Sequence, residues 1–220
     1  MVTVAASEKT TFSPEDMARY NRRLLDRLLF FSDSVFAIAT TLLVLNLTVP
    51  VIASSAVDTE LPSALLALEP KLLSYVISFL VIGMFWQAHQ RAFVYVERYD
   101  RGLAWFTLLF LLFIVFIPFP TALLGAYGDH FVAVIFYAVV LTVSGLLLTA
   151  LWVHISHNHR LLAKAVPAPF IRANTERYLI MPMVFIASMG VALVSIPAAE
   201  VMWILVVVIQ VGLGRRTRVV

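Results

Sequence analysis

The chain contains no cysteine, which excludes disulfides and thiol chemistry and leaves the compartment open. Charge is also scarce. Only 13% of the 220 residues are Asp, Glu, Lys or Arg, against 61% hydrophobic residues and a mean hydropathy of +0.93. That leaves too little polar surface to coat a soluble globule, so the chain belongs in lipid. No apolar core lies within Met1 to Asn21, where Pro14, Glu15 and Asp16 sit, so no cleaved signal peptide is expected. No His-Glu-x-x-His or paired nucleophile and base occurs in the sequence, which argues against an intramembrane enzyme. No aromatic-interleaved basic surface points to nucleic acid.

What is there falls into apolar blocks separated by short charged segments, the pattern of an all-α membrane protein rather than of an outer-membrane barrel. Six spans are expected, at about 25–50, 70–94, 103–125, 130–153, 178–196 and 198–213. They form one domain over 1–220, with an N-terminal segment at 1–24, a helical bundle at 25–213 and a basic tail at 214–220. With both termini on one side, every Lys and Arg except Lys71 falls on that side. The bias predicts a multi-pass cell-membrane protein with both termini cytoplasmic.

Tyr127-Gly128-Asp129 invites comparison with a carbonyl selectivity filter. However, Gly125 to His130 falls in the short turn between spans three and four, with no room for a separate pore helix, and Ala126 separates Gly125 from Tyr127. Ordinary turn chemistry is expected there. Pro118 and Pro120 are expected to kink or end span three, and Pro167 and Pro169 to break the loop between spans four and five. His154, His157 and His159 have a spacing that could chelate zinc, yet no fourth ligand is evident, so a polar interface is expected and no metal. Asp58, Glu60 and Glu69 make the first outer loop acidic.

The first span carries the most polar residues, namely Ser32, Asp33, Ser34, Thr40, Thr41 and Asn46. At 100° per residue, Phe31, Ser34, Ile38, Thr41, Leu42 and Leu45 fall within about 60° of Arg27, while Ser32, Asp33 and Thr40 lie more than about 100° away. An ionisable group about two turns into the membrane needs a partner or a proton. Trp86 and His89, three residues apart near the same end of the second span, offer N–H donors. A polar lock of Ser32, Asp33, Trp86 and His89 is therefore expected between the first two spans. Arg27 is expected to snorkel or to pair with Glu97 or Asp100.

Arg27-Leu28-Leu29-Phe30-Phe31-Ser32-Asp33 resembles the Arg-x-x-x-Phe-Ser-Asp signature of the transmembrane protein 175 family of potassium channels. Trp86-x-x-His89 and Ile117-Pro118-Phe119-Pro120-Thr121 resemble that family too. The resemblance implies a homotetramer whose first spans surround a central pore permeable to potassium, without a carbonyl filter. It also implies a hydrophobic narrowing five residues after the signature Asp, at Ile38, with Leu42 and Leu45 following on the same stripe. Thr41 and Ser34 would line the pore, Thr41 as a hydroxyl layer giving modest selectivity. No cofactor is implied beyond the permeant ion, and no partner beyond further copies and lipid. A proton- or cation-coupled transporter using Asp33 and His89 is the alternative, though no paired broken helices are visible.

Overall fold

The structure, a computed structural model, describes residues 13–163 and 166–204. Seven α-helices follow in order: α1 Pro14–Leu42, α2 Val57–Leu66, α3 Glu69–Phe93, α4 Arg101–Phe116, α5 Pro118–Tyr127, α6 Phe131–Ser156 and α7 Ala168–Ala192. Residues 196–204 are again helical. Among the described residues, four segments are long and apolar enough to cross a membrane: α1 with its terminal turn, α3, α4 with α5, and α6.

α1 begins well before its apolar run because the local chemistry starts a helix there. The Ser13 side chain accepts a hydrogen bond from the Asp16 amide at 3.1 Å and donates to the Asp16 carboxylate at 2.7 Å. Pro14 stands in the first turn, where a missing N–H costs nothing, and Glu15 and Asp16 complement the helix dipole. The helix tightens into a 3-10 turn at Leu43–Asn46. Asn46 donates from its side-chain amide to the Pro118 carbonyl at 3.2 Å, tying this end of α1 to the α4–α5 break.

Pro118 separates α4 from α5 at Ile117, which keeps helical dihedrals, so the third span bends slightly and continues. The expected turn at 125–130 is shorter than its composition indicates. α5 holds Gly125 to Tyr127, and only 128–130 leave the helix, with the His130 amide closing on the Tyr127 carbonyl at 2.9 Å. Gly125 is needed inside the helix. A Cβ there would stand 2.7 Å from Ser74 Oγ, so its absence lets α5 lie close against α3.

The fifth span requires correction. Pro167 and Pro169 do not break a loop; Pro167 precedes α7 and Pro169 stands in its first turn, where proline is tolerated. α7 therefore starts ten residues before the expected 178 and ends at Ala192 rather than 196. Its first half carries Arg172, Glu176 and Arg177. Its apolar run from Tyr178 is thus too short to count among the four clear crossings. The expected sixth span is helical through 204, and its remainder, 205–213, lies outside the described residues, as does the basic tail.

α6 is the central helix, packed against α7, α4, α5 and α3. It buries Tyr137, Leu141 and Trp152 completely. Gly145 sets the α6–α7 distance, because a Cβ there would meet the Pro182 ring at 3.0 Å and its nitrogen at 3.2 Å. Proline inside a helix has no rotamer by which to yield. Gly145→Leu is accordingly expected to destabilise the bundle by about 1–3 kcal/mol through overpacking, read as a lower Tm in detergent. Gly83→Leu, at a site with nothing within 4 Å, is the control that should leave Tm nearly unchanged.

Candidate pore-lining helix and the Asp33 clasp

Within one chain α1 is divided lengthwise. Leu25, Ser32, Phe36, Ala39 and Leu43 are buried, recurring at helical spacing on the side that meets α3 and α4. On the other side Phe31, Ile38 and Leu45 are 50%, 55% and 69% exposed; Arg27, Ser34 and Thr41 are exposed beside them, and Leu42 is half-buried. Only 22% of the most apolar stretch of α1 is buried, against 44–56% for the other three clear crossings. One chain therefore covers α1 on a single side, and the uncovered side carries the stripe of Ile38.

The hydroxyls on α1 are bonded to their own helix. Ser34 donates to the Phe30 carbonyl at 2.8 Å, Thr41 to Ile38 at 2.9 Å, Ser32 to Leu28 at 2.8 Å and Thr40 to Phe36 at 3.0 Å. Such a bond uses the hydroxyl proton and leaves the oxygen lone pairs free to accept. At Thr41 and Ser34 those lone pairs sit on the exposed face.

Asp33 is half-buried and turns to α3. Trp86 Nε1 donates to its Oδ1 at 2.8 Å, and Gln90 Nε2 donates to the same oxygen. The expected four-residue lock is corrected in two places. Ser32 spends its proton on Leu28, and His89 does not reach Asp33. Instead the His89 ring is fully buried between aromatic side chains, 4.6 Å from Phe93, 5.9 Å from Phe36 and 5.7 Å from Phe110, nearly parallel to the last. Neither ring nitrogen hydrogen-bonds a described residue, so no bonded path leads from Asp33 to His89. Gln90 takes the place assigned to His89 because the side of α3 facing Asp33 is the edge shared by positions 86 and 90, one helical turn apart.

Arg27 makes no ion pair among the described residues, and neither of its expected partners serves it. Asp100 caps α4, accepting from the Leu103 amide at 2.7 Å, and meets His154 Nε2 at 3.0 Å and Arg160 at 2.9 Å. Burial opposes its ionisation, but the Leu103 amide, His154 and Arg160 outweigh that and hold its carboxyl below the usual carboxylate range. Gly102 makes room for this cluster, since a Cβ there would stand 2.5 Å from the His154 ring. His154 thus has a carboxylate partner that its spacing to His157 and His159 did not reveal. Among the described residues no group of three or more His, Cys, Asp or Glu could hold a metal ion.

A second buried polar cluster escaped sequence reasoning. Thr121 donates to Ser78 Oγ at 2.8 Å, and Ser78 meets the Tyr137 hydroxyl at 2.9 Å. It joins α5, α3 and α6 away from the exposed stripe. Isolated hydroxyls in apolar helices give no sign of which neighbours they will meet.

The architecture is that of a multi-pass all-α membrane protein whose least covered clear crossing, α1, carries a stripe of apolar and hydroxyl side chains. Residues 27–118 match the family described as endosomal/lysosomal potassium channel TMEM175. The chain is 38% identical over 172 residues to a potassium channel of Streptomyces collinus, covering 76% of this chain and 82% of that protein. It is 36% identical over 170 residues to a potassium channel of Chamaesiphon minutus, covering 76% and 83%. Its structure superposes on the crystal structure of a lysosomal potassium-selective channel TMEM175 homolog from Chamaesiphon minutus with a TM-score of 0.76 and 30% identity, over 90% of this chain and 100% of that one. The chain belongs to the TMEM175 family of potassium channels, a family of ion channels and not of enzymes.

Proposed function

We propose that four copies of this chain assemble around an axis lined by α1 and form a potassium-permeable channel closed by a hydrophobic ring at Ile38. The observation that carries this reading is the lengthwise division of α1, in which Ile38, Thr41 and Leu45 are left uncovered while the opposite side is packed. Exposed apolar side chains alone would suit lipid. Ser34 and Thr41 on the same stripe do not, because polar groups at membrane depth turn toward protein or a water-filled path. Closed rotational symmetry lets one uncovered stripe bury itself against its own copies.

Four isoleucines at an axis make a constriction where an ion must shed water and receives no oxygen in return. Leu42 and Leu45 extend that barrier. The Thr41 hydroxyls, with lone pairs free, hold a partly hydrated cation and discriminate modestly between potassium and sodium. Asp33, held by Trp86 and Gln90, fixes the rotation of α1 from behind and stays off the permeation path. The Lys and Arg bias sets both termini in the cytoplasm.

The test is a planar-bilayer recording of purified protein in potassium and sodium gradients. Unitary potassium currents are expected, with a limited preference over sodium that falls in Thr41→Ala. Ion movement without unitary events would point to a carrier and sink the channel reading. A preference untouched by Thr41→Ala would remove Thr41 from selectivity.

A further inference from the structure

α1 is one continuous helix from Pro14 to Leu42, so the stripe that holds Ile38 can be followed back beyond the membrane. At 100° per residue, Arg27 and Arg23 lie within about 60° of Ile38 and on the same edge. Both are exposed, and neither makes an ion pair among the described residues. None of the nearby acids forms an ion pair with either arginine among the described residues. Asp16 bonds Ser13 and Arg19, and Asp100 is held by His154 and Arg160. Glu97 lines a crevice with Arg22, Asn21 and Arg98 on the far side of α1; Asp26, at the rim of that crevice and about 60° from Arg23 on the wheel, is exposed and makes no ion pair with Arg23 or Arg27. This end of α1 thus presents two unneutralised guanidinium groups in line with the exposed stripe.

We propose that Arg23 and Arg27, repeated around the axis, form a binding site for a phosphate-type oxyanion at the N-terminal mouth of the channel. The inference rests on the fourfold reading given above. Eight guanidinium groups facing one another repel strongly when empty. Guanidinium binds phosphate oxygens in a bidentate manner, and a multivalent anion on the axis satisfies several copies at once. The rise of an α-helix places Arg27 about 16 Å from Ile38 and Arg23 about 6 Å further out. The site therefore lies in the aqueous mouth, beyond the hydrophobic ring.

The probe is inorganic pyrophosphate, titrated calorimetrically into the purified assembly in phosphatidylcholine nanodiscs. Binding of one pyrophosphate per four chains is expected, weakened at least tenfold in R23Q/R27Q, largely retained in R23K/R27K, and unchanged in R22Q, which alters the crevice side. Because both arginines are exposed and without ion pairs, R23Q/R27Q should assemble normally, which size-exclusion chromatography with light scattering verifies. Adding phosphatidylglycerol to the nanodiscs should leave the affinity unchanged, since lipid does not reach the axis. One pyrophosphate per chain, competition by phosphatidylglycerol, or binding that survives R23Q/R27Q would each overturn the axial site. No binding to a fourfold assembly that conducts potassium would defeat this inference and leave the channel reading intact. An assembly that is not fourfold would defeat both.

Discussion

Ile38→Asn is expected to produce a channel that conducts at rest, with open probability raised at least about tenfold, which corresponds to about 1.4 kcal/mol. An amide ring at the constriction holds water through its own donors and acceptors, so the dewetted barrier disappears while the backbone stays in place. Folding should be little affected, because Ile38 is 55% exposed in the single chain and packs against nothing that an amide would disrupt. Ile38→Leu should stay closed, since it keeps an apolar ring. The measurement is steady current at fixed voltage in bilayers containing equal amounts of reconstituted protein. Unchanged resting current in Ile38→Asn, with the assembly intact, would move the barrier away from this residue.

The two faces of α1 were legible in the sequence because a 3.6-residue period converts spacing directly into direction. The wheel puts Phe31, Ser34, Ile38 and Leu45 together, and the structure leaves those residues uncovered. Pairing between helices was legible only in part. Asp33 and Trp86 are polar groups at matching depth, and the sequence brings them together without difficulty. Whether His89 or Gln90 joins them depends on a rotation of about 100° of α3 about its own axis. Packing sets that rotation: Phe36, Phe93 and Phe110 enclose His89 and turn Gln90 toward Asp33.

Proline was the other source of error, because its meaning depends on position. The same residue that ends a helix from within begins one from its first turn. Ser13-Pro14-Glu15-Asp16 and Pro167-Ala168-Pro169 both start helices, whereas composition alone suggests a polar N-terminal segment for the first and a broken loop for the second. The first carries a complete capping signal in Ser13 and Asp16, which was available without a structure. The consequence for the site is direct, since the early start of α1 is what brings Arg23 onto the line that already holds Arg27 and Ile38.

Asp33→Leu is expected to cost the assembled protein about 3 kcal/mol or more, because it leaves the Trp86 N–H and the Gln90 amide without their shared acceptor at membrane depth. The loss falls on the contact that sets the rotation of α1. Two effects should therefore appear together: a lower yield of folded protein in detergent, and a broken closure in whatever protein does assemble. Asp33→Asn separates geometry from charge. Its carboxamide oxygen still accepts from Trp86 at the 2.8 Å position, so folding should recover most of the way toward wild type. Trp86→Phe removes one donor and keeps the aromatic volume, so it should fall between the two. The ordering wild type, Asp33→Asn, Trp86→Phe, Asp33→Leu in thermal stability is the quantity to measure. If Asp33→Leu matched wild type in both stability and resting current, the clasp would have no part in holding α1. Its stripe would then have to be oriented by contacts between copies alone.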